Sequence, residues 1–487
     1  MLEILGNTKR TCDGVSRRDF LRAGVLGLGG LTLADAIRAV PANAAVPAGR
    51  SFGRAKRCIL LYLYGAASQA ETFDLKPDAP EDVRGPFQPI ETNVSGIRIC
   101  EHLPRIAKQM DRITLIRSMT HPFPIHCAAY ALTGNPQCDI PMELNPRDQR
   151  HWPYIGSVVD YLGSGSSTAP RDVPGNVCLP WRISSRSMPH KRAGTYGGFL
   201  GTGFDPVYTE FIGDSPKGDP YRGITEQGYF QFTPAAEPQP NITLDRLNRR
   251  RSVLHQLDDA RRGLDTRTGI EALAGFDRAQ QMALSLVTSE KMREALDLSR
   301  EPRALRESYG MTLFGQGTLA ARRLVERGVR FATVVWDEYK QSCISGWDTH
   351  VHQIQRLTGE LLPGLDMALS GLLADLHNRG MLEETLVLVI TEHGRTPKVD
   401  PVTGGGRGHW SDVYCGLMAG GGAKAGVVVG SSDANAGQVD SHPVSPKDVL
   451  ATAYHLLGIP PTTEILDRLQ RPLPLVPEGK VDEALIA

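Results

Sequence analysis

The sequence is sparing in the features that usually betray a partner. Basic and acidic side chains balance at 54 each over 487 residues, so no net field favours nucleic acid or an anionic membrane. Eight cysteines are scattered with no C-x-x-C pair, which leaves no dithiol motif, and a chain this long does not need a disulfide framework. Aromatic residues make up 6% of the chain. There is no internal repeat, which excludes a repeat array. No apolar run approaches the roughly 20 residues that span a bilayer. What remains is an ordinary globular composition, 41% hydrophobic and 22% charged, enough for one large domain with insertions or for two.

The N-terminus carries the first positive signal. Lys9, Arg10, Arg17 and Arg18 make a basic region, and Ser16-Arg17-Arg18-Asp19-Phe20-Leu21 reads as a twin-arginine box. An uncharged Gly- and Leu-rich run, Ala23 to Ala34, precedes the small-x-small site Ala42-Asn43-Ala44. This is the layout of a signal peptide of the twin-arginine (Tat) type, spanning 1–44 and cut near Ala44. It predicts passage through the Tat translocase to the periplasm or the exterior. That route carries folded proteins, often already loaded with a metal. Loss of Cys12 with the signal would leave seven cysteines, so at least one thiol is unpaired unless chains cross-link.

Strands are expected where short apolar runs end in polar residues. These are Cys58–Tyr64, Ile113–Ile116, Val329–Trp336, Thr385–Thr391 and Val413–Met418. Unbroken apolar runs suit strands of a parallel sheet buried on both faces. Leu357, Leu361, Leu365, Leu369, Leu372 and Leu376 recur at helical spacing and Gly380 closes the run. That helix lies between two strands, giving a right-handed βαβ unit. Ser445-Pro446-Lys447-Asp448 opens another helix. Residues 163–308 read as a loop-rich, then helical, insertion capping a split α/β core that runs from 45 to 475. Residues 476–487 read as a tail.

Candidate chemistry sits just after the expected strands, where open α/β sheets place their ligands. Asp337 and then Trp347-Asp348-Thr349-His350-Val351-His352 follow the third strand, and Glu392-His393-Gly394-Arg395 follows the fourth. A glycine loop, Gly404 to Gly408, delivers His409, while Glu71 and Asp74 follow the first strand. Asp74, Asp348 and Glu392 with His350, His352, His393 and His409 make a mixed carboxylate and imidazole set. Such a set suits zinc first, with manganese and iron next, and is large enough for one ion or two. Taken singly, D-x-H-x-H and E-H are weak patterns.

Several longer segments carry a resemblance. They include YLYGAASQAETFDLKPDAP, CEHLPRIAKQMDRITLIRSMTH, HPFPIHCAAYALTGNP, WDTH, TEHGRTPK, GRGHW, LMAGGGAKAG and VSPKDVLATAYHLLGI. From about residue 10 to about 475 the chain resembles a family of secreted bacterial proteins known as a domain of unknown function, number 1501, within the alkaline phosphatase and sulfatase superfamily. The resemblance implies a three-layer α/β fold, with a mostly parallel central sheet and helices on both faces. It also implies a divalent metal, one ion or two, with zinc favoured and manganese, calcium or magnesium as alternatives. By position, Asp74 is similar to the early ligand Asp, and Asp348 with His350 to the mid-chain pair, His352 being able to replace His350. Glu392 with His393 is similar to the Asp-His pair, and His409 to the late His. The superfamily's strand-end Asp is missing here, since Tyr64-Gly65-Ala66-Ala67 follows the first strand.

The nucleophile implied by the resemblance is a hydroxyl or thiol ahead of Leu132-Thr133-Gly134, with Ser118, Thr120 and Cys127 as candidates. Cys127-Ala128-Ala129-Tyr130-Ala131 lacks the arginine of the formylglycine sulfatase motif. His121 and His126 nearby could act as acid or ligand, or simply pack. Arg395 could clamp an oxyanion or form a structural ion pair. The expectation is an exported metal-dependent hydrolase of phosphate or sulfate esters, small-molecule or polysaccharide. The alternative is a non-catalytic secreted metal-binding or envelope protein that keeps the fold.

Overall fold

Nine strands make the main sheet of this computed structural model. They are β1 (Arg57–Leu63), β2 (Ile113–Met119), β3 (Asn176–Leu179), β4 (Val207–Ile212), β5 (Tyr229–Phe232), β6 (Phe331–Trp336), β7 (Thr385–Ile390), β8 (Tyr414–Ala419) and β9 (Val427–Val429). Their order is β9-β2-β8-β7-β1-β6-β3-β4-β5. β1 lies at the centre, parallel to β6 on one side (Leu63 against Trp336) and to β7 on the other (Tyr62 against Ile390). β8 runs antiparallel to both β7 and β2, and β5 antiparallel to β4, so the sheet is mixed but mostly parallel. The structure describes residues 51–135, 139–148, 150–164, 173–186, 192–233, 289–340 and 346–487. The signal segment expected at 1–44 lies outside them, as do residues 234–288 of the insertion expected at 163–308.

Helices cover both faces. The ones that matter here are α1 (Ala128–Thr133), α2 (Ile155–Ser164), α3 (Leu313–Glu326), α4 (Leu362–Asn378) and α5 (Pro446–Leu456). Successive side chains of a strand point to opposite faces. In β1, Ile59, Leu61 and Leu63 join a core with α3 and α4, while Cys58, Leu60 and Tyr62 join a second core with α1, α2 and α5. The result is the three-layer α/β architecture expected. The leucine-rich helix is present. It has one wider π turn at Leu357–Leu361, and its leucines 365, 369, 372 and 376 are buried to within 1%. Each such leucine contributes roughly 1.5–3 kcal/mol. Ser445 caps α5 by accepting from the Asp448 amide, and the Asp448 carboxylate accepts from the Ser445 amide at 3.0 Å.

Two expectations about organisation need correction. The stretch read as a loop-rich insertion supplies β3, β4 and β5, one flank of the main sheet. These strands are only four to six residues long and lie among glycines and prolines, so no long apolar run announces them. The stretch read as a tail is packed down. Leu485 is fully buried, Ile486 bridges to Ala423, and the Lys424 amide donates to the Leu485 carbonyl. Among the described residues no helix is long and apolar enough to cross a membrane.

Candidate metal centre

The carboxyl ends of β1, β2, β6 and β7 meet at one point. The apolar run of β7 ends in Thr391, and the next two residues, Glu392 and His393, are buried at the sheet's edge. After β6 the chain returns through Gly346-Trp347-Asp348 and crosses directly over Gly65, the second residue after β1. Gly65 has a φ of +111°, and a Cβ there would lie 2.3 Å from the Asp348 nitrogen. Only glycine permits both the backbone angle and this approach. His409 is delivered by a two-residue antiparallel ladder in which Arg395 faces His409 and Gly394 faces Trp410. In the loop before it, Gly406 lies against the His350 carbonyl, at 1.8 Å from where a Cβ would be, so this glycine fixes where His350 sits.

Four imidazoles and one carboxylate converge. Ring centroids are 4.3 Å apart for His126 and His409, 4.7 Å for His393 and His409, 4.7 Å for His350 and His409, and 5.1 Å for His126 and His393. Asp348 faces His350 Nε2 at 3.1 Å, His126 Nε2 at 3.4 Å and His409 Nε2 at 3.6 Å. The ligand atoms fall into two overlapping groups, His126 with His393 and His409, and Asp348 with His350 and His409. His126 and His393 form the buried floor; His350 and His409 keep about 39% and 25% of their side chains exposed, which leaves the cluster open on one side.

The protonation states favour holding a cation. His393 Nδ1 lies 2.8 Å from the Gly394 carbonyl and donates to it, which leaves Nε2 as the lone-pair nitrogen. That Nε2 is buried with no hydrogen-bond partner; His126 Nε2 is also buried without a hydrogen bond, its nearest acceptor being the Asp348 carboxylate at 3.4 Å. A buried polar atom left so costs about 1–3 kcal/mol. Burial, then the neighbouring His126, His409 and Arg395, hold His393 well below its usual range, so it stays neutral. Burial lowers His409 in the same way. Burial would raise Asp348, but His126, His350, His409 and Arg395 outweigh it and hold the group as a carboxylate. His126 is the exception. Burial would lower it, yet Asp348 and Glu392 raise it to about 9. These residues can hold a metal ion: His393 and His409 are neutral, Asp348 is ionised, and His126 would release its Nε2 proton as the ion binds.

Glu392 stands behind the cluster instead of in it. Its Oε1 accepts from the Gly65 amide at 2.8 Å and from His126 Nδ1 at 2.7 Å; its Oε2 accepts from the Tyr62 hydroxyl at 3.1 Å. The expected direct ligand is therefore a carboxylate that orients His126, an arrangement common behind metal-bound histidines. Sequence spacing singled out His126 only as a residue that could act or pack. It lies seven residues past the end of β2, with no local pattern to mark it. His121, five residues earlier, packs. Its Nδ1 accepts from the Phe123 amide at 3.2 Å, its Nε2 donates to the Glu392 carbonyl at 2.7 Å, and burial lowers its pKa to about 4.

Other expected residues lie elsewhere. The buried Asp74 carboxylate is held by Lys76 at 3.0 Å, Arg117 at 3.7 Å and the Ser432 hydroxyl, away from the histidines. His352 is exposed at φ +51° where the chain turns into a helix, so His350 is the histidine of that motif in the cluster. Cys127 is disulfide-bonded, which removes the thiolate a nucleophile or ligand requires. Thr120 lines a separate open cavity of about 940 Å³ with His442, Lys447 and Asp448. Arg395 is fully buried, and its guanidinium is closed by protein acceptors. Nε donates to Ala66 O at 3.0 Å, Nη1 to Arg407 O at 3.2 Å, and Nη2 to Asp348 and to the carbonyl of Gly65. It is a structural ion pair with Asp348 and has no free edge for an oxyanion. Arg407 is equally closed, on Glu71 and the carbonyls of Val83, Thr396 and Pro397.

No curated protein matches the chain. Solved structures that share its chain path in part include three enzymes. The sulfatase PsFucS1 from Pseudoalteromonas sp. is 11% identical over 84% of this chain and 68% of that one, with a TM-score of 0.35. The lipoteichoic acid synthase LtaP from Listeria monocytogenes is 10% identical over 84% and 74%, at 0.35. The phosphonate monoester hydrolase SpPMH from Silicibacter pomeroyi is 11% identical over 87% and 75%, also at 0.35. Such likeness stops at the path of the chain. The family model described as a protein of unknown function, DUF1501, matches residues 55–486, which includes every residue of the centre, and the chain belongs to that family.

Proposed function

We propose that this protein is an exported, metal-dependent hydrolase of phosphate or sulfate esters. The observation that carries the reading is the convergence of His126, His393 and His409 with Asp348 and His350 into two overlapping ligand groups, with His393 Nε2 buried and unpartnered. A set with three or four imidazoles and one carboxylate suits zinc best among common divalent ions, and suits calcium or magnesium poorly. Among the described residues the ligand groups overlap at His409 into one cluster, while Asp74 is occupied elsewhere and the Glu392 oxygens are taken. One ion is therefore proposed. When bound, such an ion supplies Lewis acidity to an ester oxygen and acidifies water.

The chain's own residues do the rest. Glu392 keeps the proton on His126 Nδ1 and aims Nε2 inward; the Gly394 carbonyl does the same for His393. Arg395 holds Asp348 ionised and in place. The exposed edge, His350 and His409, is where an ester would enter. With Cys127 in a disulfide and Thr120 in another cavity, the attacking oxygen is proposed to come from water and not from a side chain. Those same two observations favour the second reading, a secreted metal-binding protein without catalysis. One experiment separates the two. Protein purified after native export is assayed for metal content and for hydrolysis of a chromogenic phosphate and a chromogenic sulfate ester. Bound zinc with turnover that His393→Ala abolishes supports the hydrolase; bound zinc and silence on both esters supports the binding protein.

A further inference from the structure

With Arg395 and Arg407 saturated, the cation that meets an anionic ligand must come from elsewhere. Arg192 is placed for it. Its main chain is fixed, since its amide donates to Ser184 Oγ at 2.7 Å and the next amide, of Ala193, donates to the Glu143 carbonyl at 2.8 Å. Its side chain is not. No ion pair or hydrogen bond joins its guanidinium to a described residue, and Nε is buried without an acceptor. Its electrostatic neighbours are Tyr64, Glu143, Glu338 and Glu392. Glu143 does not serve as its partner, because the Glu143 oxygens accept from the amides of Ala128 and Ala129, at 3.2 and 3.4 Å, at the start of α1.

A second donor points to the same need. The Tyr64 hydroxyl is buried without a partner, although its ring lies 5.5 Å from the ring of His126 in the metal cluster. Two buried donor atoms without acceptors, the Tyr64 hydroxyl and the Nε of the half-buried Arg192, lie near a centre whose Arg395 and Arg407 are spent. Donors like these are stable when a ligand brings the acceptors, and a guanidinium matches the paired oxygens of a tetrahedral oxyanion.

We propose that Arg192, assisted by the Tyr64 hydroxyl, binds the anionic oxygens of the ester whose reaction the metal centre serves, and so selects phosphate or sulfate esters over neutral ones. This rests on the hydrolase reading. The test is calorimetric titration of inorganic phosphate, and separately inorganic sulfate, into metal-loaded wild type, Arg192→Gln, Arg192→Lys and Tyr64→Phe. At least one anion should bind the wild type. Arg192→Gln should weaken it at least tenfold with metal content unchanged, Arg192→Lys should recover part, and Tyr64→Phe should weaken it a few-fold. The preferred anion tells phosphate from sulfate. Equal affinity in wild type and Arg192→Gln, or no binding of either anion by the wild type, overturns the proposal. If Arg192→Gln does not fold, Tyr64→Phe decides alone, unchanged affinity counting against. Arg192-dependent anion binding without ester hydrolysis would sink the hydrolase reading and keep this one; hydrolysis with Arg192-independent binding would do the reverse.

Discussion

His350 Nε2 and His409 Nε2 lie 2.9 Å apart, and both face the same oxygen of Asp348. Two imidazole nitrogens this close must share something, either a proton or a cation. Which one they share can be read directly by removing the ion. Chelation should lower the melting temperature and readdition of zinc should restore it, since anything that binds the folded state stabilises it by mass action. Calcium or magnesium should restore little. A melting temperature indifferent to chelator and zinc would count against the centre.

The donor set predicts a division among substitutions. His393→Ala and His409→Ala should each lose bound zinc on elemental analysis, while Asp74→Asn and His352→Ala should keep it at wild-type stoichiometry, near one per chain. Zinc lost from Asp74→Asn, or two ions per chain, would restore the two-ion arrangement that the family resemblance implied.

Glu392 should act at one remove. Glu392→Gln keeps the shape and an oxygen for the Gly65 amide and His126 Nδ1, but it removes the negative charge behind His126 and the oxygen that accepts from the Tyr62 hydroxyl. Zinc affinity should fall about 10- to 100-fold without vanishing, the usual cost of losing an orienting partner. Competition with a chromophoric chelator measures it. An affinity as low as that of His393→Ala would make Glu392 a direct ligand after all.

Arg395→Ala is expected to act on the fold and not on turnover alone. It removes the guanidinium paired with the buried Asp348 carboxylate, leaving that group to the histidines, and strands the carbonyls of Gly65 and Ala66. Breaking such a buried pair costs about 3–5 kcal/mol. Denaturant midpoints should shift accordingly. A fully stable Arg395→Ala with a raised KM would return Arg395 to the role of oxyanion clamp.

Glu143 gives a pH prediction. Burial, partly offset by Arg192, raises its pKa to about 8 from an ordinary 4.5. Between those values the folded chain keeps a proton that the unfolded chain releases. Stability therefore falls as pH rises through that window, by up to about 1.4 kcal/mol per pH unit, and is fully retained below it. Glu143→Gln should remove this component, flattening stability between pH 5 and 8 relative to wild type. Parallel curves for the two proteins would refute it.

What could be read beforehand follows from physics that acts locally. Five apolar runs became strands, the leucine spacing became a helix, and Ser445 with Asp448 became a cap, because each depends on neighbours within a few residues. Asp348, His350, His393 and His409, which the structure brings together, were singled out because each follows a strand, where this class of sheet gathers ligands. His126 was nearly invisible, because it sits in an irregular loop and its partners, Glu392 first among them, lie up to 266 residues away. The role of Arg395 was hidden for a related reason: its partners are mostly main-chain carbonyls, which every residue has. Asp74 was misplaced because spacing gives distance along the chain and not the direction in which a carboxylate turns.

The central strand is made first, yet its two neighbours lie about 270 and 330 residues later. Loop closures that long are slow and cannot begin until both partners exist. The crossing of Gly65 by Asp348, and the grip of Gly65 on Glu392, can therefore form only once synthesis has passed Glu392. The cage thus acts as a completeness gauge. A nascent or truncated polypeptide offers the ion only scattered weak donors, and a finished one offers them all together.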